Sequence, residues 1–313
     1  MAVFTVTGGA GFIGSNIVRR LVADGHVVRV VDDLSTGRRE NLDGLEGRIA
    51  VHEGSILDPA LLAGACTGAD CVIHQAALAS VVGSVRDPVA TNAVNVDGTL
   101  NVLVAARDAG VRRVVYASSS AVYGDTPPLP KDETMAPCPQ SPYAVSKLAG
   151  EHYCRAFTHV YGLETVSLRY FNVYGPRQDP SSQYAAVIPI FIRRLLAGEP
   201  VTVYGDGEQS RDFVFVEDVA AANLAAAQAP DAAGAVVNIG SGERRTLNDL
   251  IAVLHDLTGE HTPPRYTAAQ PGDVKHSQAD ISLARRIIGY EPQVDFAEGI
   301  RRTCEWYGSR RSG

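Results

Sequence analysis

Tyr143 and Lys147 stand four residues apart in the run Pro142-Tyr143-Ala144-Val145-Ser146-Lys147. On a helix that spacing puts both side chains on one face. A tyrosine is a poor base at its ordinary pKa of about 10. A neighbouring ammonium stabilises the phenolate and brings it toward working pH, so the pair is fit to move a proton. Upstream, the apolar run Val114 to Ser118 reads as a strand that ends in Ser118-Ser119-Ser120. The carboxyl edge of an α/β sheet is where such folds hold their ligands. A hydroxyl there can donate a hydrogen bond to a substrate oxygen as charge develops on it. By itself a Tyr and Lys pair on a helix is more often a surface feature, and its meaning depends on what surrounds it.

The chain opens on Val3 to Thr7, a strand, followed by Gly8-Gly9-Ala10-Gly11-Phe12-Ile13-Gly14 and a helix over Ile13 to Asp24. In this context Gly8 permits a tight turn, Gly11 lets the backbone approach a pyrophosphate, and Gly14 lets helix and strand pack closely. The N–H groups at the helix start then face the anion. Asp32 closes the second strand, Val27 to Asp32, and lies 18 residues past Gly14. It is placed to accept hydrogen bonds from the hydroxyls of an adenosine ribose. A carboxylate there favours NAD over NADP, whose 2′-phosphate would meet like charge, although Arg38 and Arg39 lie near.

Further strands are expected at Ile49 to Glu53, Cys71 to His74, Val114 to Ser118 and Glu164 to Arg169, with long helices over Asn92 to Ala109 and Pro142 to Tyr161. This alternation is the βαβ rhythm of a parallel sheet. Asn172 to Gln183 reads as a loop, Val187 to Leu196 as a helix, and Val201 to Tyr204 as a short strand before Gly205-Asp206-Gly207. Val236 to Ile239 reads as one more buried strand, so the chain re-enters the main sheet. The expected fold is α/β: a Rossmann-type doubly wound parallel sheet with a smaller, discontinuous α/β substrate-binding lobe. The expected division is 1–171 with 212–240 for the dinucleotide, and 172–211 with 241–313 for the substrate.

At 313 residues the chain has room for one large domain and a lobe. A net charge of −7 argues against nucleic acid or an anionic membrane as partner. The five cysteines, Cys66, Cys71, Cys138, Cys154 and Cys304, show no metal spacing and read as free thiols of a reducing cytosol. No stretch approaches the ~20 apolar residues of a membrane span, and a cytoplasmic protein is expected. His74 and His276 lack carboxylate or cysteine partners at ligand spacing, so no metal site is expected.

Thr7 to Gly14, Ser118 to Gly124 and Pro142 to Lys147 together resemble the extended short-chain dehydrogenases, and within them the UDP-hexose 4-epimerases, nearly end to end. The resemblance implies a catalytic triad of Ser119, Tyr143 and Lys147, Ser119 being five residues before Gly124. It implies NAD contacts from Gly8, Gly11, Phe12, Ile13, Gly14, Asp32, Asp33, Ser35, Thr36, Gly37, Ser55, Ile56, Gln75, Ala76, Ala77, Ala79, Asn95 and Phe171, beside the triad. Ser55 stands where relatives usually place an aspartate. For a UDP-sugar it implies Ser119, Ser120 and Tyr143 at the sugar, Asn172 and Arg211 at the diphosphate, Val187 and Tyr204 at the uracil, and Asp273 at its ribose. Gln270 stands where hexose epimerases commonly carry a second phosphate-binding arginine, and Arg265 is five residues earlier. Ser277 holds the place of a bulky tyrosine found in epimerases restricted to glucose and galactose.

Related reactions are weighed on the same resemblance. Sugar 4,6-dehydratases need an acid and a base where this chain has Ser120-Ala121, and uronate decarboxylases place a glutamate near there. Uronate epimerases tend to carry an arginine where Asp179 stands, and an acid would repel a sugar carboxylate. Gln183 to Pro189 and Gly272 to Asp280 look most like UDP-N-acetylglucosamine 4-epimerases. A net sugar dehydrogenase that releases NADH remains open, as does a non-catalytic NAD-sensing protein, although the latter can lose the Tyr and Lys that this chain keeps. A homodimer is expected through the two long helices, with Val102, Val145 and Leu148 on their outer faces.

Overall fold

The computed structural model describes residues 1–125, 128–180, 186–268 and 275–309. Its first half alternates as the sequence predicts: β1 Val3–Thr7, α1 Phe12–Ala23, β2 Val27–Asp32, β3 Ile49–Glu53, α2 Pro59–Cys66 and β4 Cys71–His74. There follow α3 Val81–Arg86, α4 Pro88–Asn92, a π-turn over Ala93–Asp97, α5 Gly98–Asp108, β5 Arg113–Ser119, α6 Pro142–Tyr161 and β6 Glu164–Tyr170. The second half comprises β7 Asn172–Tyr174, α7 Val187–Leu196, β8 Thr202–Tyr204, β9 Ser210–Arg211, β10 Phe213–Phe215 and α8 Val216–Gln228. It ends in β11 Ala235–Ile239, β12 Arg245–Thr246, α9 Leu247–Thr258, β13 Arg265–Thr267, α10 Ser282–Ile288 and α11 Phe296–Ser309.

Seven parallel strands form the central sheet in the order β11-β6-β5-β4-β1-β2-β3. The inner strands are covered on both faces, which is why they read as continuous apolar runs, whereas the edge strand β3 has no buried residue. One layer buries Ile17, Leu21, Val219 and Leu224 from α1 and α8 against the sheet. The other buries Leu62, Leu103, Tyr116 and Phe157, from α2, α5, β5 and α6. Strand order reverses between β1 and β4, and a crevice opens at their carboxyl ends. A separate core of Ile188, Phe191, Leu195, Val203, Phe213, Leu250 and Leu254 holds the second lobe together.

Three expectations need correction. The helix foreseen over Asn92 to Ala109 starts earlier, at Pro88, and runs to Asp108 through a π-turn at Ala93–Asp97. Asn95, inside the π-turn, is turned inward, where Oδ1 accepts from Leu78 N at 2.8 Å and Nδ2 donates to Leu78 O and Ser146 Oγ. π-turns of this kind gather at functional sites. The loop foreseen from Asn172 begins instead as β7, because β10 pairs with it in parallel some forty residues later. Of the three apolar residues placed on an outer helix face, only Val145 is exposed; Val102 is buried in one core layer and Leu148 packs against the other. The exposed apolar residues nearby are Val81, Val82, Val85 and Val89 on α3 and α4, which pack beside α6.

Helix α6 carries Tyr143 and Lys147, and its placement follows from local chemistry. Ser141 caps it, accepting from Ala144 N at 3.1 Å, Pro142 occupies the first turn, and Gly162 ends it in the left-handed region. A Cβ at Gly150 would lie 2.2 Å from the Tyr116 hydroxyl, so glycine is what lets the helix sit directly on β5. No helix among the described residues is long and apolar enough to cross a membrane.

Candidate active site

The glycine turn and the Tyr–Lys helix face one cleft of about 520 Å³. Gly8 has φ +68°, and a Cβ there would lie 2.6 Å from Ala76 N. A Cβ at Gly14 would lie 2.0 Å from Gly8 O. The turn is therefore backbone packed on backbone, leaving space beside it, and α1 starts at Phe12 without an acidic residue in its first turn. That is an anion cradle of the right size and charge for a dinucleotide pyrophosphate. Asp32 sits beside the glycine turn at the end of β2, accepting from Ala10 N at 2.8 Å and Leu34 N at 2.9 Å. Burial pushes its carboxyl up, opposed by those two N–H groups. Gly37 is required beside it, since a Cβ would reach within 2.7 Å of Asp32 Oδ1. The two nearby cations are both engaged by acids: Arg38 with Asp179 at 2.7 Å and Arg39 with Glu53.

The opposite wall is built by α6 and the end of β5. Lys147 is buried and its Nζ donates to Ala117 O at 2.9 Å, lying 5.9 Å from the centre of the Tyr143 ring. Burial brings the ammonium down to about 8. The same burial pushes the Tyr143 phenol up, and the Ser119 hydroxyl facing it works in the other direction. Ser119 Oγ also accepts from Ala121 N at 3.1 Å, which orients it. The three serines thus separate in role. Ser118 spends its hydroxyl on buried Glu151 at 2.5 Å, while Ser119 turns toward the phenol.

Of the dinucleotide residues foreseen, Gly8, Gly11, Phe12, Ile13, Gly14, Asp32, Asp33, Ser35, Thr36, Gly37, Ile56, Gln75, Ala76, Ala77 and Ala79 line the cleft with Tyr143 and Lys147. Ser55, Asn95, Phe171 and Ser119 stand off its wall, where Ser118 lines it instead of Ser119. Ser55 Oγ accepts from Leu57 N, Asn95 fastens Leu78, and Phe171 is buried against Tyr123. Unforeseen lining residues include Tyr170, which is bonded to Gln75 and Asn223, and Gln178 and Asp179 from the loop after β7. No local pattern marks the latter two; they arrive by tertiary folding.

On the second lobe the chain brings Asn172, Arg211 and Ser277 together. Ser277 N donates to Ser210 O, Arg211 Nη1 donates to Lys275 O, and Ser277 Oγ lies 3.4 Å from Asn172 Oδ1. Asp212 is not the partner of its neighbour Arg211. It is fully buried, and its carboxylate accepts from Ser241 N, Ser241 Oγ, Gly242 N and Ala279 N. Val187 is half-buried at the start of α7, and Tyr204 ends β8 with its ring exposed. Arg265 begins β13 opposite Thr202, at the far end of that strand pair from Tyr204. Ser120 opens the short turn after β5, and Gln270 and Asp273 lie outside the described residues. His74 is buried between the hydroxyls of Thr7 and Thr99, and burial pulls it down to about 3, so it is a neutral structural group. His276 is hydrogen-bonded to Ser210 Oγ at 2.8 Å.

Comparison with known proteins places this site in a family. Residues 4–240 match the NAD dependent epimerase/dehydratase family. A UDP-glucose 4-epimerase of Mycolicibacterium smegmatis is 42% identical over 97% of this chain and 98% of its own. The structure superposes on that of a UDP-N-acetylglucosamine 4-epimerase from Methanobrevibacter ruminantium M1, in complex with UDP-N-acetylmuramic acid, with a TM-score of 0.95, 42% identity and 99% of both chains covered. It superposes on the UDP-glucose 4-epimerase of Thermotoga maritima, with UDP-glucose, with a TM-score of 0.94, 40% identity and 99% of both chains covered. The chain belongs to the NAD dependent epimerase/dehydratase family, within the extended short-chain dehydrogenases, and its cofactor is NAD.

Proposed function

We propose that the protein is an isomerase, a UDP-sugar 4-epimerase that inverts carbon 4 through a 4-keto intermediate. Its substrates are UDP-N-acetylglucosamine and UDP-N-acetylgalactosamine, and it also takes UDP-glucose and UDP-galactose. The observation that carries the reading is Tyr143 on the cleft wall with buried Lys147 on the same helix face, beside a dinucleotide cradle, with the Ser119 hydroxyl facing the phenol from the end of β5. Tyr143 takes the proton of the sugar hydroxyl and returns it, Ser119 donates to the same oxygen, and Lys147 supplies positive charge from below. NAD, when bound, supplies the hydride acceptor and a positive ring beside the phenol. The turn after β5 opens on Ser120 and Ala121, neither of which can carry the extra proton transfers of a dehydratase. Asn172, Arg211 and, from the chain outside the described residues, Gln270 and Asp273 take the UDP with Val187 and Tyr204. In this reading 1–171 with 212–240 serves the cofactor, and 172–211 with 241–313 serves the sugar nucleotide. The five free thiols accord with a cytoplasmic enzyme.

Incubation with UDP-glucose or UDP-N-acetylglucosamine, without added cofactor, tests this by NMR. Each sugar should come to equilibrium with its 4-epimer while reduced-nicotinamide absorbance stays flat. Accumulating NADH would instead mark a net dehydrogenase, and no turnover of any UDP-sugar would leave an NAD-binding protein. Ser277, beside Asn172, leaves room for an N-acetyl group whose amide needs a partner, since an unpaired buried amide costs about 1–3 kcal/mol. Ser277→Tyr should therefore suppress the acetylated pair and spare UDP-glucose. Equal activity on both pairs in the variant would remove Ser277 from specificity.

The reading includes a homodimer through α3, α4 and α6. Val81, Val82, Val85, Val89 and Val145 give this face an apolar exposure that a monomer would leave in water. Light scattering at micromolar concentration should give twice the monomer mass, and Val89→Asp with Val85→Asp should shift it toward the monomer. A wild type that scatters as a monomer contradicts the pairing.

A further inference from the structure

The loop over 175–180 crosses from the second lobe to the mouth of the dinucleotide cleft, which Gln178 and Asp179 line. Two anchors hold it there, and both grow from the cleft's own walls. The first is Asn16, buried on α1 one turn past the glycines. Its Nδ2 donates to Phe12 O at 2.9 Å and to Pro176 O at 3.1 Å, and its Oδ1 accepts from Arg177 Nη1 at 2.9 Å. Arg177 has φ +73°, a left-handed conformation that a long side chain adopts only when its surroundings enforce it. The second anchor is Arg38, whose backbone N donates to Ala10 O within the glycine turn at 3.0 Å. Its guanidinium holds Asp179 at 2.7 Å. Tyr307 of α11 binds the loop from behind through Gln178 O.

The loop that lines the mouth of the cleft is thus stitched to the helix that starts at the glycine turn and to the segment that follows Asp32. We propose that Asn16, Arg38 and Asp179 are cofactor-retaining residues, which clasp the 175–180 loop over the bound dinucleotide and slow its release. The inference rests on the epimerase reading for its purpose: a reaction that takes and returns the same hydride loses its product if the reduced cofactor escapes between the two transfers. It also gives Asp179 a role that its charge alone does not.

Release is measured directly, without sugar. Protein loaded with NADH is mixed with excess NAD⁺, and the loss of nicotinamide fluorescence is followed in wild type, Asp179→Asn, Arg38→Gln and Asn16→Ala. Asp179→Asn and Arg38→Gln should each release NADH about 2–5-fold faster, as expected for loss of an exposed ion pair. Asn16→Ala, which removes hydrogen bonds to the loop, should do so about 3–12-fold. Two further readouts separate a clasp from general loosening. Wild-type release should quicken as salt rises and screens the pair, and that dependence should be lost in Asp179→Asn. The charge swap Arg38→Asp with Asp179→Arg should restore slow release. Unchanged release in Asp179→Asn and Arg38→Gln at low salt overturns the clasp and leaves the epimerase reading intact. Faster release in a protein that inverts no UDP-sugar upholds the clasp and discards that reading.

Discussion

Tyr143→Phe is expected to lower kcat by at least about 10²–10⁴-fold, the usual contribution of a positioned acid–base group, with little change in KM. The substitution removes one oxygen and leaves the ring, so the cleft keeps its shape. What it removes is the hydroxyl that Ser119 faces. Lys147 cannot substitute for it, because its ammonium is committed to Ala117 O and lies 5.9 Å from the centre of the ring. The pH profile gives a second readout. Burial pushes the phenol up from its ordinary value, so the base form grows as pH rises and wild-type activity should climb from the acid side. Phenylalanine should erase that limb while NADH still binds. A variant that keeps more than half the wild-type activity would take the proton away from Tyr143.

Much of this arrangement is legible before folding because its causes are local. A glycine turn between a strand and a helix is written in the run Thr7 to Gly14, and the i, i+4 spacing of Tyr143 and Lys147 holds on any helix. The apolar run at Val236 to Ile239 announces a buried strand, and β11 indeed pairs with β6. What fails is whatever needs a distant partner. β7 exists because β10 pairs with it, and nothing in Asn172-Val173-Tyr174 names that partner. The π-turn at Ala93–Asp97 reflects Asn95 reaching for Leu78, a contact across separate elements.

The site shows the same divide. Asp212 follows an arginine and invites reading as its ion partner, but its carboxylate fits a nest of amide donors from 241–242 and 279. Asp179 reads as an acid set against a sugar carboxylate, yet its bonded partner is Arg38 at the cofactor's end of the cleft. In both cases charge type was visible and address was not. Electrostatic partners are chosen by the fold over separations of 141 residues for Arg38 and Asp179, and 67 for Asp212 and Ala279.

Glu151→Ala is expected to destabilise the fold by about 3–5 kcal/mol, the usual cost of leaving one member of a buried ion pair alone. Glu151 lies one turn beyond Lys147 on α6. Its Oε1 accepts from Ser118 Oγ at 2.5 Å and Arg169 Nε at 2.8 Å, and its Oε2 accepts from Arg169 Nη2 at 2.8 Å. Both side chains are almost wholly buried, with 4–5% of their surface exposed, so no water replaces the lost carboxylate. Arg169 lies over the Tyr123 ring, 4.6 Å from its centre, and has no other acid within bonding reach among the described residues. The melting temperature should fall by roughly 5–15 °C. Exchanging both partners, Glu151→Met with Arg169→Met, should cost less than Glu151→Ala, since two apolar groups leave no orphaned charge. The bidentate pair fastens α6 to β6, and through Ser118 to the end of β5 that carries Ser119. The double variant should accordingly recover stability without recovering full activity. A Glu151→Ala melting point within about 2 °C of wild type would show that solvent reaches Arg169 and that the pair does not brace the helix bearing Tyr143.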